Sequence, residues 1–98
     1  MVREIIWNKK ATLQFQIIQE YLSQKWGEQS ERKFTRRLFD FLDILQKYPF
    51  IGEVQYANKD VRGFVLSSQT KLFYKVTTNA IYILAFYDTR CDSEYFIE

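Results

Sequence analysis

The sequence predicts an α+β fold in the order β-α-α-β-β-β, and three of its features carry that prediction. Apolar residues recur at steps of three and four through two consecutive stretches, which is the helical period. Beyond residue 60 the period falls to two, the period of strands. A lone glycine, Gly27, separates the two helical stretches, so short a link that the helices must reverse and lie antiparallel.

Residues 2–7 are β-rich and apolar, and Asn8 after them is a good helix N-cap. From Ala11 the apolar positions Leu13, Ile17, Ile18, Tyr21, Leu22 and Trp26 follow helical spacing, and Gly27 closes that helix. Phe34, Leu38, Phe41, Leu42 and Leu45 form the stripe of a second helix, ended by Pro49 and Gly52. Residues 48–60 read as a surface loop. Residues 61–66, 71–76 and 81–87 then read as strands, separated by the turn-like runs Ser67-Ser68-Gln69-Thr70 and Thr77-Thr78-Asn79-Ala80. Connections this short allow only antiparallel neighbours, so these strands form a meander, with the N-terminal strand joining as an edge. The expected architecture is a helical hairpin over one face of a mainly antiparallel four-stranded sheet, which makes one core.

A chain of 98 residues leaves room for one domain, spanning 1–98. A domain of this size buries only roughly 60–65% of its unfolded surface, so its core residues must be efficient. An aromatic content of 18% meets that need. Cys91 is the single cysteine and there is no histidine. An internal disulfide is therefore impossible, and a zinc site of the usual ligands is not expected. No cofactor motif is present: three glycines form no phosphate-cradling loop, and Ser-His-Asp or Cys-His catalysis is excluded. The first residues lack the apolar run of a signal peptide and no segment is long enough to span a bilayer, so the cytoplasm is the expected location, with no membrane partner. A net charge of +2 is weak for a protein that holds nucleic acid chiefly by its phosphates.

Chemistry-bearing residues gather at the end of the last strand. An almost continuous apolar run, 81–86, suggests a strand covered or partly covered on both faces, and it turns abruptly into Tyr87-Asp88-Thr89-Arg90. Polar groups at the end of a buried strand are rigidly held and can face a cleft; an ordinary strand end with Asp88 and Arg90 ion-paired has the same sequence. Arg62 starts the second strand and Lys71 the third. Alternation sets Lys71, Phe73 and Lys75 on one face and Leu72, Tyr74 and Val76 on the other. If the helices cover the Leu72 face, the lysine face is open and could attract a phosphate backbone, although a solvated sheet face would carry the same lysines. The run Arg32, Lys33, Arg36 and Arg37 is either the wet side of its helix or a contact for nucleic acid or a partner.

Taken in order, Tyr21-Leu22…Trp26-Gly27, Tyr48-Pro49, Val61-Arg62, Leu72-Phe73-Tyr74-Lys75-Val76 and Ile81…Ile83-Leu84…Asp88-Thr89-Arg90 resemble the RelE/ParE toxin superfamily along nearly the whole chain. The resemblance implies the toxin of a type II toxin–antitoxin, or plasmid stabilisation, system, whose partner is a cognate antitoxin. It also implies one of two targets: RelE-like members cleave mRNA in the ribosomal A site without a metal, and ParE-like members poison DNA gyrase. In the cleaving members the RNA 2′-hydroxyl attacks the neighbouring phosphate, so cations and a general acid or base are required.

Carried over by position, Lys71 stands where RelE-like enzymes place an arginine, keeping the charge and losing the bidentate fork. Arg90 matches the arginine at the end of the last strand, and Tyr95 is nearest to a tyrosine of the C-terminal tail. These three would be the catalytic set of a RelE-like nuclease, with Arg62, Lys75, Tyr87 and Asp88 contacting the target or RNA. The second strand of RNA cleavers is richer in basic residues; here Arg62 matches, whereas Phe64 and Leu66 are apolar. The expectation is therefore a ParE-like toxin that acts by binding, with a ribosome-dependent endoribonuclease or an inactive interaction module as the alternatives. The resemblance sets no oligomeric state.

Overall fold

A computed structural model describes residues 3–55, 58 and 60–91. Its elements are β1 (Glu4–Trp7), α1 (Lys9–Trp26), α2 (Glu28–Lys47), β2 (Glu53–Val54), β3 (Arg62–Val65), β4 (Thr70–Val76) and β5 (Ala80–Asp88). The sheet order is β1-β5-β4-β3-β2, with β1 parallel to β5 and the other neighbours antiparallel. The meander and the edge position of the first strand agree with the sequence. The strand count does not. Glu53 and Val54, expected within a loop, pair with Gly63 and Arg62 and add a fifth strand. Two residues are too few for alternation to announce them.

Asn8 starts α1 two residues earlier than the apolar pattern, because its Oδ1 accepts the Ala11 N–H at 2.7 Å. Gly27 both ends α1 and precedes α2. Its φ of 94° is the one positive value among the described residues, and it lets two helices meet with no loop between them. Glu28 and Glu31 in the first turn of α2 and Lys47 in the last complement the helix dipole.

On α2 the residues buried are Phe34, Leu38, Phe41, Leu42 and Leu45, the stripe read from the sequence. The buried side of α1 is rotated from the expected one. Ala11, Gln14, Phe15, Ile18 and Leu22 face inward, whereas Leu13 and Trp26 are exposed. The rotation has a polar cause: Gln14 is buried because its Oε1 accepts the Phe86 N–H at 2.8 Å. The core is completed by Leu66, Leu72, Tyr74, Ile81, Ile83 and Phe86 from the sheet. Within it Phe15 packs against Trp7, Phe34 and Phe86 with centroids 5.3–5.8 Å apart.

β5 explains its own long apolar run. Tyr74 pairs with Ile83 and Phe73 with Ala85, so Leu84 is an extra residue in β5. The bulge shifts the phase of the strand. Ile81 and Ile83 face the helices before it, and Phe86 and Asp88 face them after it. The opposite side is partly covered, the weaker of the two forms the run suggested: Tyr82 and Tyr87 are exposed there, and Leu84 and Ala85 are half-buried.

The turn after α2 is tied to the sheet by Tyr74, whose hydroxyl oxygen accepts the Gly52 N–H at 2.7 Å. Burial raises the Tyr74 hydroxyl above its ordinary pKa, so it stays protonated. A Cβ on Gly52 would lie 2.5 Å from that oxygen, so the close approach requires glycine. Tyr74→Phe should leave this N–H unpaired and cost about 1–3 kcal/mol, measured by urea unfolding.

Candidate functional site

Where β4 begins and β5 ends, Thr70 pairs with Asp88, and the chain folds back so that Arg90 grips the same carboxylate. Asp88 is 1% exposed. Its Oδ2 accepts from Thr70 Oγ1 at 2.5 Å and Arg90 Nη2 at 2.7 Å, and its Oδ1 accepts from Arg90 Nε at 3.0 Å and Arg90 N at 2.8 Å. Burial alone would raise the carboxyl pKa; the Arg90 guanidinium, the Thr70 hydroxyl and the Arg90 N–H outweigh it and hold it below its ordinary value. Asp88 in turn pushes the Arg90 guanidinium further up. The next residue, Cys91, is buried, and that burial pushes its thiol up to about 11, so it is not a thiolate at neutral pH.

Arg90 forms one wall of a groove of ≈280 Å³ with Trp26, Lys33, Phe34 and Arg37. A neighbouring groove of ≈370 Å³ runs between α2 and β3, where Lys33, Arg36, Arg37 and Asp40 flank Phe41, Ile44, Phe64 and Leu66. Arg37 Nη1 donates to the Leu66 carbonyl at 3.2 Å, and Phe41 stacks on Phe64 at 4.0 Å. Phe64 and Leu66 are thus apolar because they face α2 and floor this groove.

The other residues singled out from the sequence are not gathered around Arg90. Arg62 donates from Nη1 to the carbonyls of Phe50 at 3.1 Å and Gly52 at 2.8 Å and lies 5.1 Å from the Phe50 ring centroid, clamping the turn before β2. Lys71, Lys75 and Tyr87 lie on the sheet face away from the helices, where Lys71 pairs with Tyr87 and Lys75 with Tyr82. Lys71 Nζ donates to Gln55 Oε1 at 3.3 Å and sits 5.2 Å from the Phe73 ring centroid. Tyr95 lies outside the described residues. The Asp88–Arg90 neighbourhood is legible in the sequence, whereas Thr70 joins it only across the strand pair. The placement of Tyr82 on that face depends on the bulge and has no local signal. Among the described residues no cluster of His, Cys, Asp and Glu could hold a metal, and no helix is long and apolar enough to cross a membrane.

Residues 5–92 match the family model described as the ParE toxin of the type II toxin–antitoxin system parDE. The chain belongs to the ParE toxin family. Solved structures share the fold of this ParE-family protein. A chain of the chromosomal ParDE system from P. aeruginosa superposes with a TM-score of 0.72 at 18% identity, over 87% of this chain and 94% of that one. The YoeB dimer from Staphylococcus aureus gives 0.63 at 15% identity, over 87% and 94%. The E. coli DinJ–YafQ toxin–antitoxin complex gives 0.62 at 16%, over 92% and 96%. No curated protein matches this one in sequence.

Proposed function

We propose that this ParE-family toxin acts in the cytoplasm by binding DNA gyrase, not by cutting RNA, and that a cognate antitoxin neutralises it. The observation that supports this reading is the engagement of Arg90 by Asp88. Cleavage of a phosphodiester needs cations that meet at one phosphate and a group to move the proton. Here both Nε and Nη2 of Arg90 are held by a buried carboxylate. Lys71, its expected companion, belongs to the opposite sheet face, the Cys91 thiol is protonated, and the sequence has no histidine. That set suits a surface that binds better than one that catalyses.

The antitoxin reading rests on the groove between α2 and β3. A rim in which Lys33, Arg36 and Arg37 outnumber Asp40, over an aromatic and aliphatic floor, suits a predominantly acidic amphipathic segment laid along the hairpin.

Purified toxin should stop gyrase from supercoiling relaxed plasmid, and a stoichiometric antitoxin should restore it. In a translation extract the same preparation should leave mRNA intact. Normal supercoiling at saturating toxin would overturn the gyrase reading, and A-site cleavage lost in a folded Arg90→Ala variant would establish the nuclease instead.

A further inference from the structure

We propose that the free edge of β1 pairs with the same edge of a second copy of the chain, antiparallel and centred on Ile6. This goes beyond the gyrase and antitoxin readings and depends on neither.

β1 is the outermost strand on one side of the sheet and pairs with β5 alone. Its two ends show which of its backbone groups serve β5. Glu4 N–H donates to the Asn79 carbonyl and Asn8 N–H to the Ile83 carbonyl, each at 3.2 Å. Successive strand residues direct their N–H and C=O to opposite sides, so Glu4, Ile6 and Asn8 serve β5, whereas Arg3, Ile5 and Trp7 face outward. α2 answers one outward group: Gln46 Nε2 donates to the Arg3 carbonyl at 2.9 Å. Among the described residues nothing answers the backbone of Ile5 or Trp7 on that side, which leaves two donors and two acceptors in a row. The strand also lacks the usual defences of an edge, since Glu4-Ile5-Ile6-Trp7 has no lysine, no proline and no bulge. The opposite edge is blunted by the shortness of β2, only two residues long.

The choice of a second copy follows from register. A strand laid antiparallel with its Trp7 opposite Ile5 also sets its Ile5 opposite Trp7. These two matched positions close four backbone hydrogen bonds, and the carbonyl held by Gln46 is left outside. On the helix side, where Ile5 and Trp7 pack against the core, a β-branched residue then faces an aromatic one, a favoured cross-strand combination. On the other side Ile6 meets Ile6, and Glu4 meets Asn8. Asn8 Oδ1 is occupied by the Ala11 N–H, so its Nδ2 is the group left to donate to that carboxylate. Arg3 and Lys9 fall beyond the paired stretch: Arg3 Nε is turned back to the Thr77 carbonyl, and Lys9 has entered α1. A register centred on Ile5 would need the Arg3 carbonyl that Gln46 holds, and one centred on Trp7 would run into α1. The two-fold axis stands perpendicular to the sheet. The sheet doubles to ten strands with both hairpins on one face, and each groove between α2 and β3 stays on the side remote from β1.

Sedimentation equilibrium of the full chain should show the mass rising from monomer toward dimer with concentration. The two Ile6 residues form a non-hydrogen-bonded pair with Cα atoms about 4.5 Å apart, inside the disulfide range of about 4.4–6.8 Å. Ile6→Cys should therefore cross-link under mild oxidation, whereas Val65→Cys, at an exposed position on β3, should not. Cys91 is buried, so the wild type serves as the blank. In Ile6→Lys two ammonium groups meet on the axis, and association should weaken about tenfold or more with an unchanged circular dichroism spectrum. In the wild type, amide exchange at Ile5 and Trp7 should slow as concentration rises. A monomer at every concentration up to about 1 mM would overturn the proposal. So would a dimer that a folded Ile6→Lys leaves intact, or cross-linking of Val65→Cys as readily as of Ile6→Cys. Should the variants not fold, exchange at Ile5 and Trp7 that ignores wild-type concentration decides against the pairing. Protection of those two amides only in complex with the antitoxin would give the edge to that partner and overturn self-pairing.

Discussion

Asp88→Ala should lower the unfolding free energy by about 3–5 kcal/mol, because it breaks a buried ion pair from one side only. The carboxylate accepts four hydrogen bonds, from Thr70, from Arg90 Nε and Nη2, and from the Arg90 N–H. Removing it takes the acceptor from the Thr70 O–H at a position 2% exposed, leaving that hydroxyl only the Arg90 Nη2 donor at 3.3 Å, and leaves a guanidinium whose side chain is 25% exposed. The partial exposure of Arg90 lets water recover some of the loss, which favours the lower end of the range. Urea unfolding at pH 7 measures the change, and Asp88→Asn separates shape from charge. The pH dependence has a definite sign. The folded carboxyl titrates below its ordinary value of 3.8, so as pH falls the unfolded chain takes up this proton first. The contribution of Asp88 is complete above about pH 4 and is lost as pH falls through the folded value. Wild-type stability should therefore drop in acid, with a shallower slope in Asp88→Asn. A flat wild-type profile between pH 5 and pH 2 would contradict the assignment. Arg90→Ala leaves Asp88 buried without its counter-ion, so lost toxicity in that variant indicts catalysis only after its folding has been measured.

Phe86→Ala should cost about 3–5 kcal/mol, a large fraction of the 5–15 kcal/mol available to a typical domain. Phe86 is 1% exposed, and its ring centroid is 5.6 Å from that of Trp7 and 5.7 Å from that of Phe15. Truncation opens a cavity where β1, α1 and β5 meet, and the rigid rings around it can close it only in part. Phe86→Leu should cost less than half as much, because most of the volume remains. Equal losses in the two variants would indicate that aromatic contact, not filled volume, carries the stability.

What the sequence disclosed follows from how local each signal is. The stripe of α2 is unambiguous, since Phe34, Leu38, Phe41, Leu42 and Leu45 all fall on one side and no polar residue is drawn inward. The phase of α1 was obscured because Gln14 is buried to bond β5, a reason that lies 72 residues away in the chain. The bulge is equally remote: Leu84 looks like any apolar strand residue until its pairing with β4 is known. For that reason the lysines of the open face could be placed by alternation, whereas Tyr82 and Tyr87 could not be placed together. The ion pair of Asp88 and Arg90 was one of two readings of adjacent residues; Thr70, which closes the cluster, is joined to it by register alone.

The parallel pairing of β1 with β5 has a consequence for how the molecule is born. Residues 4–7 find their strand partners at 80–83, near the other end of the chain. Both helices leave the ribosome before the partner of β1 exists, and the sheet that should cover their apolar side is still unmade. A chain released early from translation lacks the strand that joins its beginning to its end, and a long loop must close before that pairing forms. Synthesis must therefore pass residue 83 before β1 can pair, so a chain stopped short of β5 lacks the strand that joins β1 to the meander. Whatever this surface does to a cell, it can begin only once β5 has been made.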